Sequence, residues 1–245
     1  MKKFYYILFL LIPTLAFVGC TDENFYEDSS SESPMGKLSY DISLDEHLDS
    51  RAISDGKKVN QLKVGIFQGN IHIATQTFTR NGEGKFSVNN ITLLKDLEYR
   101  IVFWAEAKNN GIYQLDEETF KLTIDYSQYQ DLSLAETELF EAFYAIDSVC
   151  LNNDNNTKSI ELTRPFGQLN IAAKEEDVFE KVKSASFTID KVYTGFDLLT
   201  GNPVSESSEQ TFSFEYSTQD VTDKQSIEIG EDRYYYVASA YLLTP

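Results

Sequence analysis

The sequence predicts an all-β protein: two tandem β-sandwich domains that follow a signal peptide and a flexible tether. Two observations carry the fold class. Apolar and polar residues alternate with period two over most of the chain. Turn signals punctuate that alternation at short intervals, and helical periodicity is almost absent.

The elements follow in order. Leu38, Tyr40, Ile42 and Leu44 alternate with polar residues and read as a strand with one buried face. Leu62, Val64 and Ile66 form a second strand, and Gln68-Gly69-Asn70 turns the chain into Ile71 and Ile73, which points His72 between them toward solvent. Asn81-Gly82 is a hairpin signal. Phe86 and Val88 follow, then Tyr99, Ile101 and Phe103, with Val102 and Trp104 on the opposite face. That strand is expected to be buried on both sides, which makes Trp104 a core residue. Asn109-Asn110-Gly111 turns the chain again before Phe120, Leu122 and Ile124.

Between Tyr126 and Tyr144 the alternation breaks: Leu139, Phe140 and Phe143 sit at helical spacing, in a stretch short enough to be either a brief helix or an irregular crossover. Strand signals return from Ile146 to Leu151, with Cys150 expected to be a buried thiol. A polar loop from Asn152 to Asn156 leads to Ile160/Leu162, and Leu169/Ile171 follow. Asp177 suits the cap of one short helix carrying Val178, Phe179 and Val182. Phe187/Ile189, Phe212/Phe214/Tyr216, Ile227/Ile229 and Tyr234-Tyr235-Tyr236-Val237 complete the strand series. Arg164-Pro165 is the natural boundary, because the residue before a proline is held extended. One domain is placed at 37–163 and the second at 164–245.

The first residues follow a different logic. Met1-Lys2-Lys3, an apolar run from Phe4 to Val18, and Gly19-Cys20 have the layout of a secretory signal peptide, residues 1–19. The run is shorter than the roughly 20 residues that span a bilayer, and Pro13 interrupts it. Phe17-Val18-Gly19-Cys20 resembles a bacterial lipobox. Gly19 suits the peptidase pocket and the Cys20 sulfur takes up lipid before cleavage between the two, although Phe17 stands where leucine is usual. A lipidated Cys20 would hold the mature chain on outer-membrane lipid, since two acyl chains already anchor a protein stably. Thr21-Asp22-Glu23-Asn24 resembles the acidic signal that sends lipoproteins of Bacteroidota to the outer face of that membrane. Residues 20–36 are rich in Asp, Glu and Ser and read as a tether.

Charge and side-chain inventory exclude several classes. With 39 acidic residues against 21 basic, the net charge of −18 argues against nucleic acid as a partner. With Cys20 acylated, Cys150 has no partner in the chain for a disulfide. Only His47 and His72 are available for acid–base work, and neither a Gly-x-Ser-x-Gly elbow nor a His-Glu-x-x-His motif occurs. Gly82-Glu83-Gly84 has no helix after it to make a phosphate loop, and Asn152–Asn156 lacks the EF-hand pattern. Pairs such as Glu117-Glu118 are expected by chance in so acidic a chain. The reading is therefore non-enzymatic, with no cofactor and no metal. Asp147-Ser148-Val149 matches a three-residue O-glycosylation pattern of this bacterial group, and so short a match carries little information.

Several segments together resemble one family. Arg164-Pro165-Phe166-Gly167-Gln168-Leu169-Asn170-Ile171 is similar to the RPFAQLN signature of fimbrillin-like lipoproteins of Bacteroidota. Tyr99-Arg100-Ile101-Val102-Phe103-Trp104-Ala105 resembles their Y-x-I-x-F-W-A strand, and Val192–Gly201 and Tyr234–Leu243 resemble their second-domain pattern. The resemblance implies transthyretin-like sandwiches in proteins that build or decorate surface fimbriae and act in adhesion. It also implies a maturation cut after an arginine, for which Arg51-Ala52 fits, and exchange of an N-terminal strand between subunits, for which Leu38, Tyr40, Ile42 and Leu44 fit. Other fimbrial subunits would then be the partners, with a host glycan or protein as a further one. Such proteins continue past the Tyr-Leu-Leu segment, whereas this sequence stops at Pro245. The second sandwich is accordingly expected to lack closing strands.

The rival reading is a monomeric surface lipoprotein that binds glycans for nutrient capture. It requires exposed, coplanar aromatic side chains, for which Tyr234, Tyr235 and Tyr236 are the candidates.

Overall fold

The computed structural model describes residues 33–45, 55–81, 85–174, 181–205, 207–215 and 226–243. Strands dominate, as the alternation predicts. The first sheet places β1 (Met35–Leu44) between β4 (Phe86–Leu94) and β9 (Asn155–Leu162). The second has the order β3 (Ile71–Thr79), β2 (Gln61–Gln68), β5 (Glu98–Glu106), β8 (Ala142–Cys150). These two sheets enclose a core drawn from residues 38–162: Leu38, Tyr40 and Ile42 from one side meet Val64, Ile101 and Phe103 from the other.

The second sheet is covered on both faces. Phe67, Val102 and Trp104 point away from that core into another one, so β5 is buried on both sides as its sequence requires. Trp104 is fully buried there, edge-on to Tyr113 at 5.3 Å, and Phe166 stacks on Tyr113 at 5.6 Å. Gly65 in β2 is where this face closes most tightly. A Cβ on it would lie 2.5 Å from the Phe120 ring, so only glycine lets that ring seat.

The sequence alternation overlooked three strands. β6 (Tyr113–Asp116) and β7 (Lys121–Ile124) form a sheet with β12 (Gly195–Asp197) and β13 (Asn202–Pro203), so this sheet draws on residues from both sides of Arg164. β6, β12 and β13 have four residues or fewer, too few for a period to register. The remaining sheets are the pair β11 (Ser184–Tyr193) with β14 (Ser207–Glu215), and the order β10 (Gly167–Ala173), β16 (Asp232–Leu242), β15 (Ser226–Ile229).

The break between Tyr126 and Tyr144 is a crossover of short turns. Tyr126–Tyr129 and Glu138–Phe140 are 3-10 turns, with one α-helical turn, Leu134–Thr137, between them. Two phenols pin this crossover to the segment at the end of β16. The Leu243 amide donates to Tyr126 Oη at 3.1 Å, and the Tyr241 amide donates to Tyr129 Oη at 2.9 Å.

Two expectations are corrected. His72 does not point into open solvent. Between the pairs Ile66–Ala74 and Phe67–His72, β3 carries an extra residue, Ile73, and this bulge reverses the phase of the strand end. His72 is half-buried, 5.3 Å from the Phe67 ring, with Nε2 2.8 Å from Thr75 Oγ1, while Ile71 and Ile73 are exposed. Cys150 is exposed and not buried. Asp147 and Val149 hold the inner face of β8, so Ile146, Ser148 and Cys150 face outward. Asp177, Val178, Phe179, Tyr216 and Gly82 lie outside the described residues.

Candidate strand-exchange site

β1 is an interior strand held by two ladders. It runs antiparallel to β4, from the pair Met35–Leu94 to Ile42–Phe86, and parallel to β9, from Lys37–Asn155 to Leu44–Leu162. Leu38, Tyr40 and Ile42 are buried at 0%, 1% and 4% exposure, and Leu44 packs half-buried at the end. All four inward residues expected from the sequence therefore line one face of one strand. The termini of β1 are clamped too: the Lys37 amide donates to Asp154 O at 2.7 Å, and the Asp45 amide to Leu162 O at 2.9 Å.

Tyr40 is the polar member of that face. Its ring sits edge-on to Phe103 at 4.9 Å, and its hydroxyl donates to Asp147 Oδ2 at 2.8 Å. Asp147 in turn receives Lys158 Nζ of β9 at 2.5 Å. Burial, and the carboxylate beside it, push the Tyr40 phenol far above its ordinary range, so it stays a donor. Lys158 is an inward charge on an edge strand, a device that discourages further strand addition there.

Beyond the C-terminal end of β1 the chain is fastened again. Arg80 Nη1 donates to Gly56 O at 2.6 Å and to Val59 O at 3.2 Å. The Gly56 amide donates to Glu141 Oε2 at 2.9 Å, and the other Glu141 oxygen pairs with Arg164. Gly56 has φ +67, a conformation glycine adopts without strain. Burial raises the Glu141 pKa while Arg164 pulls it back. The Arg164 guanidinium also lies over Phe143, 4.9 Å from the ring centroid. The RPF segment thus has a structural role: Arg164 ends in this ion pair, and Phe166 packs beside Trp104 and Tyr113.

Gly19, Cys20, Arg51 and Ala52 lie outside the described residues. Sequence reasoning missed Gly56, Arg80, Glu141, Asp147 and Lys158. Asp147 could have been found, because Phe143, Ala145, Asp147 and Val149 share one parity of the β8 alternation. The aromatic candidates of the glycan reading are not exposed: Tyr235 and Tyr236 are buried and Tyr234 is half-buried. Among the described residues no aromatic side chain is exposed.

A family model described as a family of unknown function (DUF6562) matches residues 38–245, beginning within β1. No curated protein matches the sequence. Among solved structures, a candidate adhesin of Bacteroides thetaiotaomicron superposes with TM-score 0.55 at 14% identity, covering 86% of this chain and 72% of its own. A candidate polysaccharide-binding protein of the same species has TM-score 0.51 at 12% identity, covering 84% and 71%. A candidate adhesin of Bacteroides ovatus has TM-score 0.51 at 11% identity, covering 86% and 70%. At these identities the similarity establishes a shared fold.

Proposed function

We propose, from the premise that this chain belongs to the DUF6562 family of unknown function, that it is a non-enzymatic, lipid-anchored surface protein of fimbriae or adhesion. In this reading the lipid on Cys20 anchors the uncut chain, as suits a membrane-proximal anchor, whereas a cut at Arg51-Ala52 releases lipid and β1 together, as suits a shaft subunit, and a strand from a neighbouring subunit fills the vacated place. The division into sandwiches at 37–163 and 164–245 belongs to the same reading.

The observation that supports it is the placement of β1. It is an interior strand near the start of the chain, joined to the rest of the fold by the stretch that contains Arg51. Its removal would leave the facing edges of β4 and β9 unpaired around an apolar groove, a template for another strand. Burying a large apolar side chain contributes about 1.5–3 kcal/mol, so Leu38, Tyr40 and Ile42 together contribute about 5–9 kcal/mol. That is comparable with the roughly 5–15 kcal/mol that stabilises a whole domain. A borrowed strand would therefore hold subunits together without a covalent bond. The fastening of Gly56 to Glu141 and Arg80 supports the same reading, since it holds the segment after the cut to the body.

Two measurements test this. N-terminal sequencing of the protein recovered from cells should give a start at Ala52, with a precursor acylated at Cys20, and unboiled gels should show ladders of oligomers. An intact Arg51-Ala52 bond with a monomer in unboiled gels would defeat strand exchange. A Cys20→Ser chain that still sediments with envelopes would defeat the lipid anchor.

A further inference from the structure

We infer that the β1 groove reads its occupant for a tyrosine: Asp147, held by Lys158, with Phe103 set against the tyrosine ring, admits a strand whose inward residue at the Tyr40 position carries a phenol, and thereby sets that strand's register. The inference rests on the strand exchange proposed above and names what the incoming strand must be.

The argument begins with what apolar burial cannot do. A strand of alternating apolar residues that slips by two positions keeps every inward residue inward, so alternation alone specifies register weakly. Leu38, Ile42 and Leu44 are such residues. Asp147 breaks the equivalence. It stands on the inner face of β8, in line with Phe143, Ala145 and Val149, and is the acidic member of that row. Its Oδ2 accepts from Tyr40 at 2.8 Å and from Lys158 at 2.5 Å. A strand slipped by two residues would lay Leu38 or Ile42 beneath Phe103, take the phenol from Asp147, and bury that hydroxyl among apolar side chains. A buried polar group without its partner is costly, and one buried polar residue can fix the register of an otherwise apolar seam.

A second feature marks the same position. Between the pairs Leu38–Ile91 and Tyr40–Val88, β4 spends two residues, Asn89 and Asn90, opposite Ser39. Asn90 has φ 61, and its amide donates to Ser39 Oγ at 3.3 Å. The bulge in β4 and the carboxylate of β8 thus flank Tyr40 from the neighbouring strand and the facing sheet. The partner that fits is an extended polypeptide of the pattern apolar-x-Tyr-x-apolar, which β1 of an uncut second copy satisfies.

The test uses the full chain after limited cutting at Arg51 with an arginine-specific protease. Fluorescent peptides spanning Met35–Asp45 compete for the groove, with affinity read by anisotropy. The native peptide should bind about tenfold tighter or better than its Tyr40→Phe form, and a Leu38→Tyr/Tyr40→Leu peptide should bind as weakly as that form. On a body carrying Asp147→Ala the native and Tyr40→Phe peptides should bind alike. Equal affinity on the unaltered body overturns the tyrosine reading and leaves strand uptake standing. Uptake of no peptide removes the exchange itself, and the inference with it. In the uncut chain, Tyr40→Phe and Asp147→Ala must shift the urea midpoint non-additively; additive shifts overturn the pairing.

Discussion

Arg164 covers the face of Phe143 at 4.9 Å while its guanidinium meets the buried carboxylate of Glu141. Phe143 belongs to the core beneath β1, and Phe166, two residues beyond Arg164, belongs to the core on the far face of the second sheet. One short segment therefore touches both cores, and its charged end holds the amide of Gly56 through Glu141.

Breaking this pair from one side should be severe. Glu141→Ala leaves a buried guanidinium and the Gly56 amide without their carboxylate and should cost about 3–5 kcal/mol in urea unfolding, followed by the fluorescence of the single tryptophan, Trp104. Glu141→Gln still accepts from Gly56 and should cost less. Glu141→Leu combined with Arg164→Met should recover much of the loss, as replacement of a buried pair by apolar residues commonly does.

Gly65 is predicted to tolerate no side chain. Gly65→Ala drives a methyl into the Phe120 ring and should cost about 1–3 kcal/mol. Phe120→Leu in the Gly65→Ala background should return part of that loss, which a Phe120-independent effect would not do.

Cys150 should react as a surface thiol. An Ellman titration of the native protein should modify it rapidly, without urea. Cys150→Ser should shift stability by no more than about 0.5 kcal/mol.

Acid sensitivity has identifiable sources in Asp116 and Asp125. The Glu118 amide donates to Asp116 Oδ1 at 2.9 Å, and Ser127 Oγ donates to Asp125 Oδ1 at 2.6 Å, which hold both carboxyls below their ordinary range. A depressed carboxyl stabilises the fold above its unfolded value of about 3.9 and loses that contribution as pH falls through the folded value. Thermal melts between about pH 5 and pH 2 should show the decline, and Asp116→Ala with Asp125→Ala should flatten it.

The sequence made much of this fold legible where alternation was long. The four inward residues of β1 and the doubly buried β5 followed from parity alone. Parity failed at β3, because a bulge at Ile73 changes it locally and leaves no mark in the composition. At Cys150 the parity of Phe143, Ala145 and Val149 does point outward, but it sets an aspartate, Asp147, on the inner face of β8, and the reason for that lies on β1 and β9. Glu141 and Gly56 stand 85 positions apart and meet only when the chain is folded. Such polar contacts depend on tertiary placement and are invisible to any local window.

The parallel pairing of β1 with β9 has a consequence for how the protein is made. Lys37 and Asn156, which touch across that ladder, are separated by 119 residues. A chain delivered amino-terminus first presents β1 long before β9 exists to receive it, and such distant pairings form slowly. During that interval β1 has one side unsatisfied. Sequence distance thus sets how long β1 stays half-paired during biogenesis before its own fold closes over it.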